Sequence, residues 1–505
     1  MRKSGILLHI SSLPSRFGIG RMGREAYEFV DFLKASETAC WQILPLSPTS
    51  YGDSPYQSFS VYAGNPYFID PSMLEDEGLL AHEDYASMLW QRTGDSVDYE
   101  LLYHSNITVL RRAFARFQEK PLRGYAAYKS SNKAWLPDYA LFMALKSEHG
   151  GAPWYEWEPE LAMRDKKAIA EARARLSDEM ELHSFIQFLF NRQWQALKGY
   201  ANENGVEIIG DMPIYVALDS ADVWCSPELF ALDENKRPVE VAGCPPDGFS
   251  PTGQLWGNPL YNWAYHKETD YAWWKNRLRH AASLYDVIRI DHFRGFESYY
   301  AIPYGSENAI KGRWRKGPNK ALFLSVKKEL GDLHIIAEDL GFITPAVRKM
   351  LSALHYPGMK VLQFGFDSTP DNEHLPHNFT TPHCVCYTGT HDNETLSGWV
   401  ESASKKTIKY AKQYLRAEKK SAIPDAMVVC AWQSTAELAV AQMQDFLHES
   451  KGCRMNTPSV LGGNWQYRTA AEDFTPALAK HIRKLNRTYG RASVLPETAE
   501  KTEEA

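Results

Sequence analysis

Short, continuous apolar runs recur along this chain, and many of them end in a polar or charged cluster. In order they are Gly5–Ile10, Cys40–Leu46, Val206–Ile214, Asp286–Asp291, His334–Glu338, Met359–Phe364, Cys384–Thr390 and Ser459–Trp465. Helical spacing fills several of the gaps. Ala26, Phe29, Val30 and Leu33 share one helix face, as do Ile186, Leu189, Phe190, Trp194 and Leu197, and Trp274, Leu278, Ala281 and Tyr285. A run that is apolar throughout suits a strand buried on both faces, and such strands alternating with helices build a parallel sheet. Eight of them predict an α/β fold of the (β/α)8 barrel type, with its active site at the C-terminal strand ends. The clusters GDMP, RIDHFRG, AEDLG, GTHDNE and GGNW stand at those ends. A doubly wound open sheet is the alternative, although no glycine-rich phosphate loop follows the first run.

The barrel is expected over residues 1–70 and 201–495. The interval 71–200 is too long for a connection and reads as a helical insertion. Residues 219–270, rich in Pro, Gly and aromatics, read as a long irregular lid loop. Residues 401–450 read as a helical insertion before the last strand, and 496–505 as a frayed tail.

Composition narrows the partners. The 15 Trp and 27 Tyr suit surfaces that stack on sugar rings. A net charge of −6 argues against nucleic acid, which needs a basic face. The basic run Lys311, Arg313, Arg315 and Lys316 is expected to be a solvated loop. No stretch approaches the roughly 20 apolar residues of a membrane helix. The opening MRKSGILLHISSLP reads as a strand, because His9 and two serines interrupt its apolar run. Seven cysteines without a regular framework favour the cytoplasm.

Side chains alternate in a strand, so Val287, Arg289 and Asp291 share one face of VIRID. Charge on a barrel's inner face must be paired. Two uses are open: a plain ion pair at the barrel mouth, or a carboxylate kept ionised as a nucleophile. In HIIAEDLG, Ile336 and Glu338 share a face, and the adjacent Asp339 crowds the same strand end; a like charge nearby, added to partial burial, raises a carboxyl pKa. GDMP adds Asp211, and GTHDNET adds His391 and Asp392, where the chain must turn if both are to face one site. Retaining glycosidic cleavage needs two carboxyls about 5 Å apart, one nucleophile and one proton donor. No cofactor and no catalytic metal is expected, since His391–Asp392 lacks HExxH spacing; a structural calcium stays open.

RIDHFRG, AEDLG and GTHDNET in this order resemble the strand-end motifs of the α-amylase clan. GILLHISSLPSRFGIG, YGDSPYQSFSVYAGNPY, GDMPIYVALDSADVW, GQLWGNPLYNW and GGNWQYR narrow the resemblance to glycoside hydrolase family 77, the amylomaltases or disproportionating enzymes, from residue 5 to about 468. The resemblance implies a 4-α-glucanotransferase with Asp291 as nucleophile, Glu338 as acid/base and Asp392 as transition-state stabiliser. It implies that Arg289, His391, Asp211, Ser54, Tyr56 and Asn464 hold the reacting sugar. Trp256 and Phe249 would line the acceptor side, and Tyr51 a remote groove. Maltooligosaccharides and α-1,4-glucans would serve as donor and acceptor, and glucose as acceptor. Two other functions use the same residues: a hydrolase, in which water replaces the acceptor, and an inactive glycan-binding protein, which would be expected to lack one of the three acids.

Overall fold

The computed structural model describes residues 2–50, 52–92, 94, 96–246, 250–367 and 369–493. Tyr51, Phe249 and the tail at 496–505 lie outside the described residues. Twelve strands are described: β1 (Lys3–Leu7), β2 (Cys40–Gln42), β3 (Glu207–Met212), β4 (Glu240–Cys244), β5 (Gln254–Pro259), β6 (Val287–Ile290), β7 (Ser298–Pro303), β8 (Arg313–Lys316), β9 (Ile335–Ala337), β10 (Gly358–Val361), β11 (Cys384–Tyr387) and β12 (Leu438–Gln442).

Eight of these form one parallel sheet in the order β10-β11-β12-β1-β2-β3-β6-β9. Its two ends meet. The Ala337 N–H donates to the Pro357 carbonyl at 3.0 Å, and Asp339 Oδ1 accepts from Met359 N–H at 2.6 Å. The result is a (β/α)8 barrel. Its interior is layered by the two-residue period of the strands. Ile209, Val287 and Ile336 line a cavity at one end; two residues further along each strand come Asp211, Arg289 and Glu338. Gly210 alternates with these residues and faces the other way. A Cβ there would lie 2.1 Å from the Tyr285 ring, so only glycine admits that close approach.

The eighth barrel strand is not the expected Ser459–Trp465 but Leu438–Gln442. LAVAQ begins five residues after the end of a helix, Ile423–Gln433, and its alanines carry helix propensity, so periodicity alone extends the helix through it. In SVLGGNW, Ser459, Gly462, Gly463 and Trp465 all take positive φ, which no strand tolerates. That segment is a loop.

Two other expectations change. Residues 219–270 hold short helices and strands β4 and β5 within what was read as irregular loop. These strands join β7 and β8 in an antiparallel sheet of order β5-β4-β7-β8. Arg313–Lys316, read as a solvated loop, is edge strand β8 of that sheet.

Between β2 and β3 the described elements are helical, ending in the long helix Ser177–Glu203. Gln187 on this helix exchanges two hydrogen bonds with the Gly64 backbone, at 2.7 and 2.9 Å, and Gln193 does the same with Asp70, at 2.7 and 3.2 Å. Those four bonds fix the end of the loop that carries Tyr56 over the barrel. No helix among the described residues is long and apolar enough to cross a membrane.

Candidate active site

The site starts from one buried arginine. In the β3–β6 register Asp211 pairs with Arg289. Arg289 Nη1 donates to Asp211 Oδ2 at 2.6 Å and to Asp291 Oδ1 at 3.1 Å. Burial pushes both carboxyls upward, and the shared guanidinium is the largest influence pulling each back down. The carboxylate of Asp291 is 28% exposed and that of Asp211 fully enclosed. The plain ion pair is therefore present between Asp211 and Arg289, and Asp291 is the member of the cluster that reaches open space.

Glu338 stands beside it. Ile290 and Ala337 are register partners on neighbouring strands, and Asp291 and Glu338 are the next residues on each. Paired strands run about 4.8 Å apart, so the two acids begin from adjacent strand ends and face the same side. His292 takes a left-handed φ of 48°, and its N–H donates to Glu338 Oε2 at 2.7 Å. The Leu340 N–H donates to Oε1 at 2.6 Å. Glu338 is 8% exposed. Burial, and after it the charge of Asp291, pushes its pKa up to about 8, against the opposing pull of Arg289 and the two N–H groups. Burial acts as the sequence reading expects, but the like charge is Asp291 and not Asp339, whose carboxylate turns away to the Met359 N–H at the barrel seam.

The chain turns at residues 391–393, after β11 has ended at Tyr387. His391 Nε2 lies 3.3 Å from Asp392 Oδ1, and burial lowers the imidazole's pKa. Tyr56 stacks on His391 with ring centroids 5.0 Å apart and planes 15° apart. Its hydroxyl donates to Asp211 Oδ2 at 2.8 Å and lies 3.4 Å from His391 Nδ1. Asp211, Arg289, Asp291, Glu338, His391, Asp392 and Tyr56 thus form one connected cluster.

The remaining candidates divide. Trp256 on β5 meets the His292 ring edge-on at 4.8 Å, next to the nucleophile candidate. Gln57 ties this strand to the Tyr56 loop, donating to Asn258 Oδ1 at 3.1 Å. Ser54 Oγ accepts from the Tyr56 N–H at 3.2 Å, shaping that loop. Asn464 is spent within its own loop, accepting from Thr457 N–H at 2.9 Å and donating to the Val460 carbonyl at 2.8 Å.

Sequence reasoning missed two residues. Trp465, next to Asn464, is the one that packs on Tyr56 and His391, with centroids at 5.7 and 6.0 Å. Asn456 donates to Asp392 Oδ1 at 2.6 Å, and its N–H donates to the His391 carbonyl at 3.1 Å. The GGNW motif pointed at the right loop; nothing in the sequence marks Asn456. Among the described residues, no group of three or more His, Cys, Asp or Glu could hold a metal ion.

The model of the 4-alpha-glucanotransferase family matches residues 8–473. A 4-alpha-glucanotransferase of Clostridium butyricum is 44% identical over 486 residues, covering 96% of this chain and 100% of its own length. One from Streptococcus pneumoniae is 45% identical over 494 residues, covering 97% of each. The amylomaltase from Streptococcus agalactiae, solved in complex with acarbose, has a TM-score of 0.95 at 42% identity, covering 97% of this chain and 100% of that one. The chain belongs to the 4-alpha-glucanotransferase family, glycoside hydrolase family 77.

Proposed function

We propose that the site transfers a segment of an α-1,4-glucan to the 4-hydroxyl of an acceptor by a retaining double displacement. Asp291 attacks the anomeric carbon while Glu338 protonates the oxygen of the departing glucan. The 4-hydroxyl of a second glucan, or of glucose, then gives its proton to Glu338 and takes the sugar from Asp291. Two inversions leave the configuration α. Maltooligosaccharides and longer α-1,4-glucans serve on both sides of the exchange.

The observation that carries this reading is the unequal treatment of two acids at adjacent strand ends. Asp291 is held by the Arg289 guanidinium, which favours the anion a nucleophile must be. Glu338, with a pKa of about 8, keeps its proton at neutral pH and can donate it. His391 and Asp392 grip ring hydroxyls of the reacting sugar. These bonds strengthen as positive charge develops on the ring, where they lower the barrier. Asp211 Oδ1, buried and unpartnered among the described residues, is left for another hydroxyl. Tyr56 and Trp256 offer aromatic faces on either side of the bond. The lid role of residues 219–270 and the sugar contacts of Ser54, Asn464, Tyr51 and Phe249 belong to the same proposal. Of these, Asn464 draws the least support, its amide being already bonded. A cytoplasmic location accords with seven free cysteines.

Incubation with pure maltotriose tests the transfer step. Transfer yields glucose and longer chains at a constant number of reducing ends. A steadily rising number of reducing ends, without longer products, would replace transferase by hydrolase.

A further inference from the structure

We propose that Trp314 and Phe342, organised around Arg294, form an outlying acceptor-side subsite that binds an α-glucan chain several sugars from the reacting bond. This rests on the transfer reading above and concerns which residues read the length of the acceptor.

Arg294 lies three residues beyond Asp291 and is 3% exposed. It donates to Ser298 Oγ at 2.7 Å and to the Phe342 carbonyl. Its guanidinium carbon sits 3.8 Å from the centre of the Trp314 ring. One buried cation therefore ties together three segments: the end of the nucleophile strand, the edge strand β8, and the loop that follows Glu338. In that loop Phe342 comes two residues after Leu340, whose N–H holds the Glu338 carboxylate.

Both aromatic side chains remain open. Trp314 is 43% exposed and Phe342 48%. The charged neighbours of Trp314 are turned to carboxylates: Arg313 and Arg315 share Glu240 at 2.9 and 2.6 Å, and Lys316 meets Glu297 at 2.7 Å. Trp314 itself is pinned between the guanidinium and the Tyr300 ring, which meets it edge-on at 5.2 Å. A large ring left exposed on an edge strand invites unwanted association. A ring fixed in place also loses little entropy when something stacks on it. The occupant that matches an exposed, fixed indole face has flat apolar faces and polar edges, as a glucose chain has. Continuity with the site selects the side: Glu338 protonates the departing glucan and deprotonates the incoming one, so the acceptor half of the chain runs past its loop.

The test is acceptor kinetics at one fixed donor concentration, with glucose and with maltooligosaccharides of increasing length. Trp314→Ala should raise KM for long acceptors about two- to tenfold, the worth of one aromatic contact. KM for glucose and kcat should stay unchanged. Phe342→Ala should move the same quantity in the same direction, and Trp314→Phe, which keeps a ring, should restore most of the loss. Equal losses for glucose and long acceptors would make the pair structural and overturn the proposal. Unchanged KM at every length would overturn it too, as would a change in oligomeric state in Trp314→Ala, which would mark this face as a contact between copies. A protein that transfers nothing to any acceptor would instead count against the transfer reading itself.

Discussion

Glu338→Gln should abolish turnover and also remove a specific pH dependence of stability. A buried carboxyl whose pKa rises from 4.5 to about 8 holds its proton in the folded state long after the unfolded chain has released it. Below pH 4.5 both states are protonated, and the contribution is fully present. Above that, stability falls by up to about 1.4 kcal/mol per pH unit until the folded group ionises near pH 8. The loss reaches about 3 kcal/mol by pH 7 and about 5 kcal/mol by pH 9. Glutamine cannot ionise and so escapes it. It has its own cost, because both Glu338 oxygens accept backbone N–H groups, from His292 and Leu340. Glutamine offers one oxygen, and its NH2 must oppose the other N–H, at about 1–3 kcal/mol at every pH. The wild type should therefore be the more stable near pH 4.5 and the variant the more stable at pH 8, with the curves crossing between about pH 5 and 7. Urea unfolding at half-unit intervals measures this directly. Asp445, raised to about 7, and Asp222 and Asp339, raised to about 6, titrate in both proteins and cancel in the difference. Curves that stay parallel from pH 5 to 8 would refute the elevated Glu338 pKa.

The same group should set the alkaline limb of kcat/KM, with a midpoint near pH 8 as Glu338 loses the proton it must donate; a profile flat to pH 9.5 would contradict this. Asp291→Asn should keep glucan binding, measured by calorimetry, while turnover falls about 10⁴-fold or more; near-wild-type rates would remove Asp291 from the nucleophile role. Asn456→Ala should release Asp392 from its 2.6 Å bond and lower kcat by about 10- to 100-fold with little change in KM. A rise in KM at constant kcat would place Asn456 in ground-state binding instead.

What the sequence made legible was local. The two-residue period puts Arg289 with Asp291, and Ile336 with Glu338, on inner faces, and their position at strand ends follows from where the apolar runs stop. The number of barrel strands could be counted, but the last was assigned to the wrong segment. A five-residue strand rich in alanine after a helix has no periodicity of its own, and parallel pairing with β1 and β11 is what makes it a strand. The contacts that shape the site were not legible, because they join residues far apart in the chain. Tyr56 meets His391 across 335 positions and Asn456 meets Asp392 across 64. Overlooking Trp465 followed from the same gap: its ring packs on Tyr56 and His391, both far away in the chain.

Asp339 shows what decides a carboxyl's role here. Three acids, Asp291, Glu338 and Asp339, lie at the ends of two adjoining strands, and all are pushed upward by burial. Their fates are set by partners the backbone supplies. Strand alternation gives Asp291 a direct bond to the Arg289 guanidinium, which it shares with Asp211. Glu338 feels Arg289 only at a distance and is bonded by two neutral N–H dipoles, one of which exists because His292 is held in the left-handed region. Asp339, on the opposite face, is taken by the Met359 N–H and closes the barrel. Moving the register of β9 by one residue would exchange the last two, placing the acid/base at the seam and the seam acid in the site. The chemistry therefore depends on register as much as on residue identity. That dependence accounts for the proximity of catalysis and closure: the bond from Ala337 N–H to Pro357, which seals the barrel, also fixes the register that turns Glu338 inward.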